Sequence, residues 1–286
     1  MRVQLVPVAA ALLVACALPA AALESKNVER RSFELARAAG GRAVVIENVF
    51  GGVRVRAGSG DTVELTIHET ITADDAAALE RGRAEVELEV AESNGRLELV
   101  QDGPFRDDCD DRPGRGRRHD HRRDYALEWV WEVVVPADVS LEVSTVDGEL
   151  VDVEGVHGEL SVANVNGGVR VAGARSAVAA STVNGGVDVD FAVRPTAPMS
   201  FSTVNGEIEV ALPAGSGAEL AVQTLNGEIY TDFPAAAMAR PAAVERERSG
   251  RGLRWRLGGE TVVRLGAGGP KLACNTVNGD ILIRER

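Results

Sequence analysis

Met199-Ser200-Phe201-Ser202-Thr203-Val204-Asn205-Gly206-Glu207-Ile208-Glu209-Val210-Ala211-Leu212 is the stretch from which the fold is read. Met199, Phe201 and Thr203 alternate with other residues on one side of Asn205-Gly206, and Ile208, Val210 and Leu212 alternate on the other. Period-two alternation marks strands with one buried face. Asn-Gly tolerates positive φ and lets the chain turn sharply between them. Taken singly, the unit is a two-residue hairpin signal.

The unit recurs. Ser144-Thr145-Val146-Asp147-Gly148-Glu149-Leu150 is followed by Ala163-Asn164-Val165-Asn166-Gly167-Gly168-Val169 and Ser181-Thr182-Val183-Asn184-Gly185-Gly186-Val187. Beyond the quoted copy come Gln223-Thr224-Leu225-Asn226-Gly227-Glu228-Ile229 and Asn275-Thr276-Val277-Asn278-Gly279-Asp280-Ile281. Gly148, Gly167, Gly185, Gly206 and Gly227 are spaced by 19, 18, 21 and 21 residues. A half-step copy surrounds Gly158, and Asn48-Val49-Phe50-Gly51-Gly52-Val53 is a degenerate relative.

A period near 20 residues fits coils of a β-solenoid, where equivalent residues stack in columns. Val146, Val165, Val183, Val204, Leu225 and Val277 then form an aliphatic column. Asp147 heads an Asn ladder of Asn166, Asn184, Asn205, Asn226 and Asn278, whose amides bond along the axis. The turn glycines are the five above and Gly279. The fold read from this pattern is all-β, a right-handed parallel β-solenoid; the other reading is a sandwich or meander of hairpins.

Residues 23–136 read as a β-rich region capping the first end, and residues 137–286 as the repeats, with an insertion at about 234–252. Pro234 to Gly252 reads as a loop or short helix, and Gly252 to Gly269 as one further coil. Within the capping region, Asp74 to Arg83 suits a short helix. Val86, Leu88 and Val90 lead through Asn94-Gly95 to Leu97 and Leu99 as a hairpin. Leu127, Trp129, Trp131, Val133 and Val135 make the heaviest apolar strand face.

Composition agrees with many short strands: 31 glycines, 4% aromatic and 26% charged residues in 286. The formal net charge of -12 argues against a nucleic-acid partner, which needs clustered positive charge. Arg2, the apolar run Val3 to Leu18 and Pro19-Ala20-Ala21-Ala22 form an export signal, residues 1–22, with cleavage after Ala22. Leu13-Val14-Ala15-Cys16 supports a second reading, a lipobox with Cys16 acylated, which gives the only membrane contact expected. In an oxidising compartment Cys109 and Cys274 can pair, or remain two thiols.

The Thr-Val-Asn-Gly-(Glu/Gly/Asp)-(Ile/Val) unit, the Val135-Pro136 step and the ending Gly266-Ala267-Gly268-Gly269…Thr276-Val277-Asn278-Gly279-Asp280-Ile281 resemble the bacterial putative-adhesin family of β-strand-repeat proteins. The resemblance covers roughly residues 40 to 286. It implies a right-handed β-helix-like fold on an exported, envelope-associated protein, and it carries over no catalytic residues.

Chemistry-bearing clusters are few. Asp107, Asp108, Cys109, Asp110 and Asp111 with His119 and His121 hold metal-ligand types. The spacing matches no metal framework, and seven Arg in residues 105–124 oppose a cation. The charged stretch 102–124 therefore reads as a self-neutralising loop. Glu149, Glu207, Glu228 and Asp280 follow the turn glycines and form an interrupted acidic column. Such carboxylates could serve acid/base chemistry on a polysaccharide, but turn acids usually serve solubility. Arg246, Arg248, Arg251, Arg254 and Arg256 around Trp255 are a contact surface or a solvated strand face. Trp255 alternates with Leu253 and Leu257 toward the core. His68 and His157 stand alone.

The function expected is an exported, non-enzymatic β-repeat protein of the bacterial envelope, needing no cofactor and contacting an envelope polysaccharide or another surface protein. The alternatives are a polysaccharide-active β-helix enzyme and a lipid-anchored structural or signalling module.

Overall fold

The computed structural model describes residues 22–36, 41–106, 124–237, 244–249, 252–257 and 261–286, without the side chains of 235–261. The described chain is nearly all strand, in two large mixed sheets of 12 and 11 strands, with one helix, Ala76–Glu85. Asp75 caps that helix, its side chain accepting the Ala78 N–H at 2.7 Å.

Each repeat spends one strand in each sheet. Met199–Ser202 lies in the 11-stranded sheet and Ile208–Leu212 in the other, so the strands flanking Asn205-Gly206 do not pair with each other. Met199–Ser202 pairs in parallel with Val178–Ser181, followed in the same sense by Leu160–Ala163, Ser140–Asp147 and Ala43–Phe50. On the opposite wall Ile208–Leu212 pairs in parallel with Val187–Phe191, then Gly168–Ala174, Leu150–Glu154 and Val53–Gly58. The degenerate unit at Asn48 thus supplies strands to the stack itself.

The core runs unbroken between the two walls. Alternation sends every second side chain inward, and register stacks like on like. One column runs Ile46, Val143, Val162, Ala180, Phe201, Cys274, in which small Ala180 lies beside large Phe201. On the facing wall Val151, Val169, Val187, Ile208 and Ile281 form a column no more than 1% exposed. β-Branched side chains suit such half-buried pleated surfaces.

The coils are not stacked in chain order. The last strands, Lys271–Asn278 and Ile281–Glu285, lie between the coil of residues 199–212 and that of residues 218–231. Gly252–Leu257 and Thr261–Leu265 do not form a further coil. They pair antiparallel with Ile229–Thr231 and Ala218–Asn226, closing that coil's far edge. The near edge is left for the C-terminal strands, and a nearly identical corner motif lets them fit it. Residues 235–237 and 244–249 are strands rather than loop or helix.

Antiparallel strands close both ends. Leu23–Glu34 pairs with Thr62–Ala73, which pairs with Tyr125–Pro136, and the hairpin of Glu87–Ser93 and Arg96–Asp102 flanks the other sheet. A parallel stack ending in open edges would template further pairing. Trp131, fully buried, stands in register with Val53, where the closing strands meet the coils.

Candidate functional site

The corner motif builds three columns, all in the same order. In the first, each inward Thr or Asn side chain donates to a glycine carbonyl of the preceding coil. Thr182 reaches Gly167 O at 2.7 Å, Thr203 Gly185 O at 2.8 Å, Thr276 Gly206 O at 3.2 Å and Thr224 Gly279 O at 3.0 Å. Asn164 does the same to Gly148 O at 2.9 Å, and Thr145 to Gly51 O at 3.2 Å. Backbone pairing continues through the corner as parallel Asn–Asn bridges. The Thr and Asn side chains supply partners to the glycine carbonyls beside it, which would otherwise be costly to leave unpaired.

The second column is the amide ladder. Asn166 Nδ2 donates to Asp147 at 2.6 Å, Asn184 to Asn166 at 2.9 Å, and Asn205 to Asn184 at 2.9 Å. Asn278 then donates to Asn205 at 2.8 Å, and Asn226 to Asn278 at 2.7 Å. The order is that of the coils, so Asn278 stands between Asn205 and Asn226.

The third column is glycine. A Cβ on Gly167, Gly206, Gly227 or Gly279 would fall 1.9 Å from a carbonyl oxygen of the neighbouring coil. On Gly185 the distance would be 2.2 Å, and on Gly148 2.6 Å. Of the six, only Gly167 and Gly279 have positive φ, and no corner Asn does. Close approach of stacked backbones, rather than a left-handed turn, is therefore what most of these positions require.

The aliphatic residues between Thr and Asn point outward. Val146, Val165, Val183, Val204 and Val277 are 37–42% exposed, and Leu225 is 75% exposed. They stack as an apolar stripe on the surface beside the Asn ladder. Next to it, the outer face of the 11-stranded sheet forms a shallow trough of about 540 Å³. Its floor is Ser161, Ala179, Ser200 and Ala273, one residue per coil, and its rim carries Arg96, Glu142, Glu159 and Lys271. The outer face of the other sheet is charged. Arg56 meets Asp152 at 2.6 Å, Arg170 lies 3.7 Å from Asp152, Arg284 meets Glu209 at 3.1 Å and Arg286 meets Asp190 at 2.7 Å. Asp152 is itself buried, while the pairs of Arg284 and Arg286 are more exposed and add little stability each; together these charges keep that face solvated.

Coil order also changes the acidic column. With the C-terminal coil inside, Glu207, Asp280 and Glu228 become consecutive. Asp280 accepts the Glu228 backbone N–H at 2.8 Å, and the Tyr230 hydroxyl donates to the Glu228 carboxylate. Partial burial, with Glu209 and Asp280 nearby, raises the Glu207 carboxyl above its ordinary value, against the opposing effect of Arg284. Among the described residues, no three His, Cys, Asp or Glu side chains converge as metal ligands.

Cys274 is a fully buried free thiol in the core column, and burial pushes its pKa up. Cys16, Cys109 and the cluster at 107–123 lie outside the described residues, as do the side chains of Arg246 to Arg256. His68 lies 3.5 Å from Glu132 on an exposed face.

No protein family and no curated protein matches the sequence. Crystal structures similar in outline include these three. A putative cell adhesion protein from Clostridium sporogenes is 11% identical, with a TM-score of 0.45, covering 92% of this chain and 100% of its own. A putative adhesin from Bacteroides fragilis is 11% identical, with a TM-score of 0.34 and coverage of 92% and 98%. A putative lipid binding protein from Parabacteroides distasonis is 8% identical, with a TM-score of 0.29 and coverage of 91% and 97%. Likeness at this level leaves the function to be read from the chain's own residues.

Proposed function

We propose that this chain is an exported, non-enzymatic β-repeat protein of the bacterial envelope, wound as a right-handed parallel β-solenoid, whose lateral surface makes adhesive contacts. The observation that carries this reading is the asymmetry of the two walls. One presents paired charges, while the other presents a trough of Ser and Ala beside an exposed valine stripe. A neutral, partly apolar centre with a charged rim is the anatomy of a contact surface. The leader at residues 1–22 supports export. In the acidic column, Asp280 and Glu228 are engaged in bonds between and within coils, which supports a structural role for them.

Fractionation of cells expressing the full chain tests the envelope assignment, and recovery in the cytoplasm with residues 1–22 intact overturns it. Intact mass separates the two anchoring states: a start at Leu23 without lipid excludes acylation of Cys16. The contact role is tested by coating beads with the purified protein and counting retained bacterial cells. Retention equal to that of uncoated beads contradicts it.

The consecutive carboxylates Glu207, Asp280 and Glu228 favour one second reading, an enzyme acting on envelope polysaccharide. Release of reducing ends, lost in Glu207→Gln, would establish that reading in place of the first.

A further inference from the structure

Four neighbouring coils contribute the runs Ser161–Asn166, Ala179–Asn184, Ser200–Asn205 and Ala273–Asn278 to one side of the molecule, and none contains a charged residue. In a chain that is 26% charged, with a net charge of -12, this is an exceptional surface. The outward positions in each run are a small residue from the trough floor, a second small or polar residue, an exposed aliphatic and an Asn.

Hydrogen-bonding capacity remains along it. Each ladder Asn spends one Nδ2–H on the next Oδ1, and an amide has two N–H groups and two acceptor lone pairs. Ser161 and Ser200 add exposed hydroxyls on alternate coils. The surface therefore offers rows of neutral donors and acceptors beside a row of aliphatic C–H, repeated every coil at about 4.8 Å.

We infer that this face binds an uncharged, extended β-linked glycan lying along the stacking axis, with one sugar ring to each coil. This deepens the adhesive reading and rests on it. The inter-strand spacing is close to the rise per residue of such a glycan. Each ring can then set a C–H face against Val165, Val183, Val204 or Val277 and its hydroxyls against the Asn amides and Ser hydroxyls. A neutral polymer loses no charge hydration on entering a neutral surface, whereas a polyanion approaches a protein of its own sign. A second copy of this chain fits less well. The four runs cover roughly 350 Å² in plan, short of the roughly 800 Å² per partner of a stable protein–protein contact.

The test is calorimetric titration of the purified chain with four hexasaccharides. Cellohexaose and chitohexaose are extended, β-linked and neutral, maltohexaose is neutral but coiled, and the β-1,4-mannuronate hexamer is extended but charged. Binding of at least one of the first two, ~tenfold or more tighter than the last two and unchanged on raising salt from ~50 to ~500 mM, is expected. Ser200→Arg, at an exposed position, should weaken it by ~tenfold or more with the melting temperature preserved. If that variant does not fold, the four-sugar comparison on the unaltered chain decides alone.

In the titrations, four results overturn the inference: no heat with either β-linked neutral sugar, equal binding of maltohexaose, preference for the mannuronate, or full binding by folded Ser200→Arg. Concentration-dependent sedimentation abolished by Ser200→Arg also overturns it, assigning the face to self-association. None of these outcomes bears on export, which fractionation reads separately.

Discussion

Asn-Gly occurs in two settings in this molecule, and they use it differently. At Asn94-Gly95 both residues have positive φ, 48° and 79°, and the flanking strands pair antiparallel as a hairpin. At Asn205-Gly206 neither does, the flanking strands lie in different sheets, and the glycine is pressed against a carbonyl of the preceding coil. The hairpin uses the conformational freedom of the dipeptide. The corner uses its small size and its amide. One dipeptide thus marks two architectures, and the recurrence of its neighbours, not the dipeptide, separates them.

Substitution of the glycines should split the two settings most widely. Gly206→Ala places a methyl 1.9 Å from a backbone oxygen that two stacked coils hold fixed. We expect a loss of about 3 kcal/mol or more, or failure to fold, in urea denaturation. Gly95→Ala puts a Cβ on a hairpin residue at φ 79° and should cost about 1 kcal/mol, the left-handed penalty. Equal losses would erase the distinction.

The corner hydroxyls come next. Thr203→Val keeps the shape and removes the donor to Gly185 O. The cost expected is about 1–3 kcal/mol, from an orphaned, partly buried carbonyl, while Thr203→Ser should recover most of it. A neutral Thr203→Val would show that the carbonyl has another partner.

The ladder gives a smaller, graded effect. Asn205→Ala breaks two amide bonds and Asn226→Ala breaks one. Both are exposed, so about 1 kcal/mol and about 0.5 kcal/mol are expected from thermal melts. The reverse ranking would place Asn226, not Asn205, inside the ladder.

The smallest effect is one of pH. The Glu207 carboxyl is raised in the folded state, mainly by partial burial, so the folded protein holds that proton more tightly than the unfolded chain. Its stability contribution therefore falls as pH rises above the ordinary glutamate value of about 4.3. Glu207→Gln should melt slightly higher than the parent at pH 7, with the gain disappearing at about pH 4 and below. A gain that persists in acid would assign the effect to something other than this carboxyl.

Much of this was legible in the sequence for definite reasons. Alternation through Met199, Phe201 and Thr203 placed the inner face, the Asp74 region marked the helix, and Ser93-Asn94-Gly95 marked the hairpin. The inward Thr was visible in the same alternation, but its bond to a glycine carbonyl depends on how coils stack. The order of the coils was not legible, because the motifs at Asn205, Asn226 and Asn278 are nearly identical and each fits any slot. Contiguity of Glu207, Asp280 and Glu228 follows from that order and was hidden with it. The charge-free face was present in four runs of sequence, yet only parallel register turns four runs into one surface.

The placement of the C-terminal coil between two earlier ones is the claim on which the columns depend, and disulfide trapping tests it most directly. In a Cys109→Ser background, Ser202→Cys with Asn275→Cys joins residues that stand in register on adjacent parallel strands. Ser202→Cys with Gln223→Cys joins residues separated by the intervening strand, about 9.6 Å apart and beyond the reach of a disulfide. Mild oxidation of the folded protein should trap the first pair and leave the second reduced, as read by mass after alkylation. Trapping of the second pair and not the first would contradict the account, because it would mean that the coils stack in chain order.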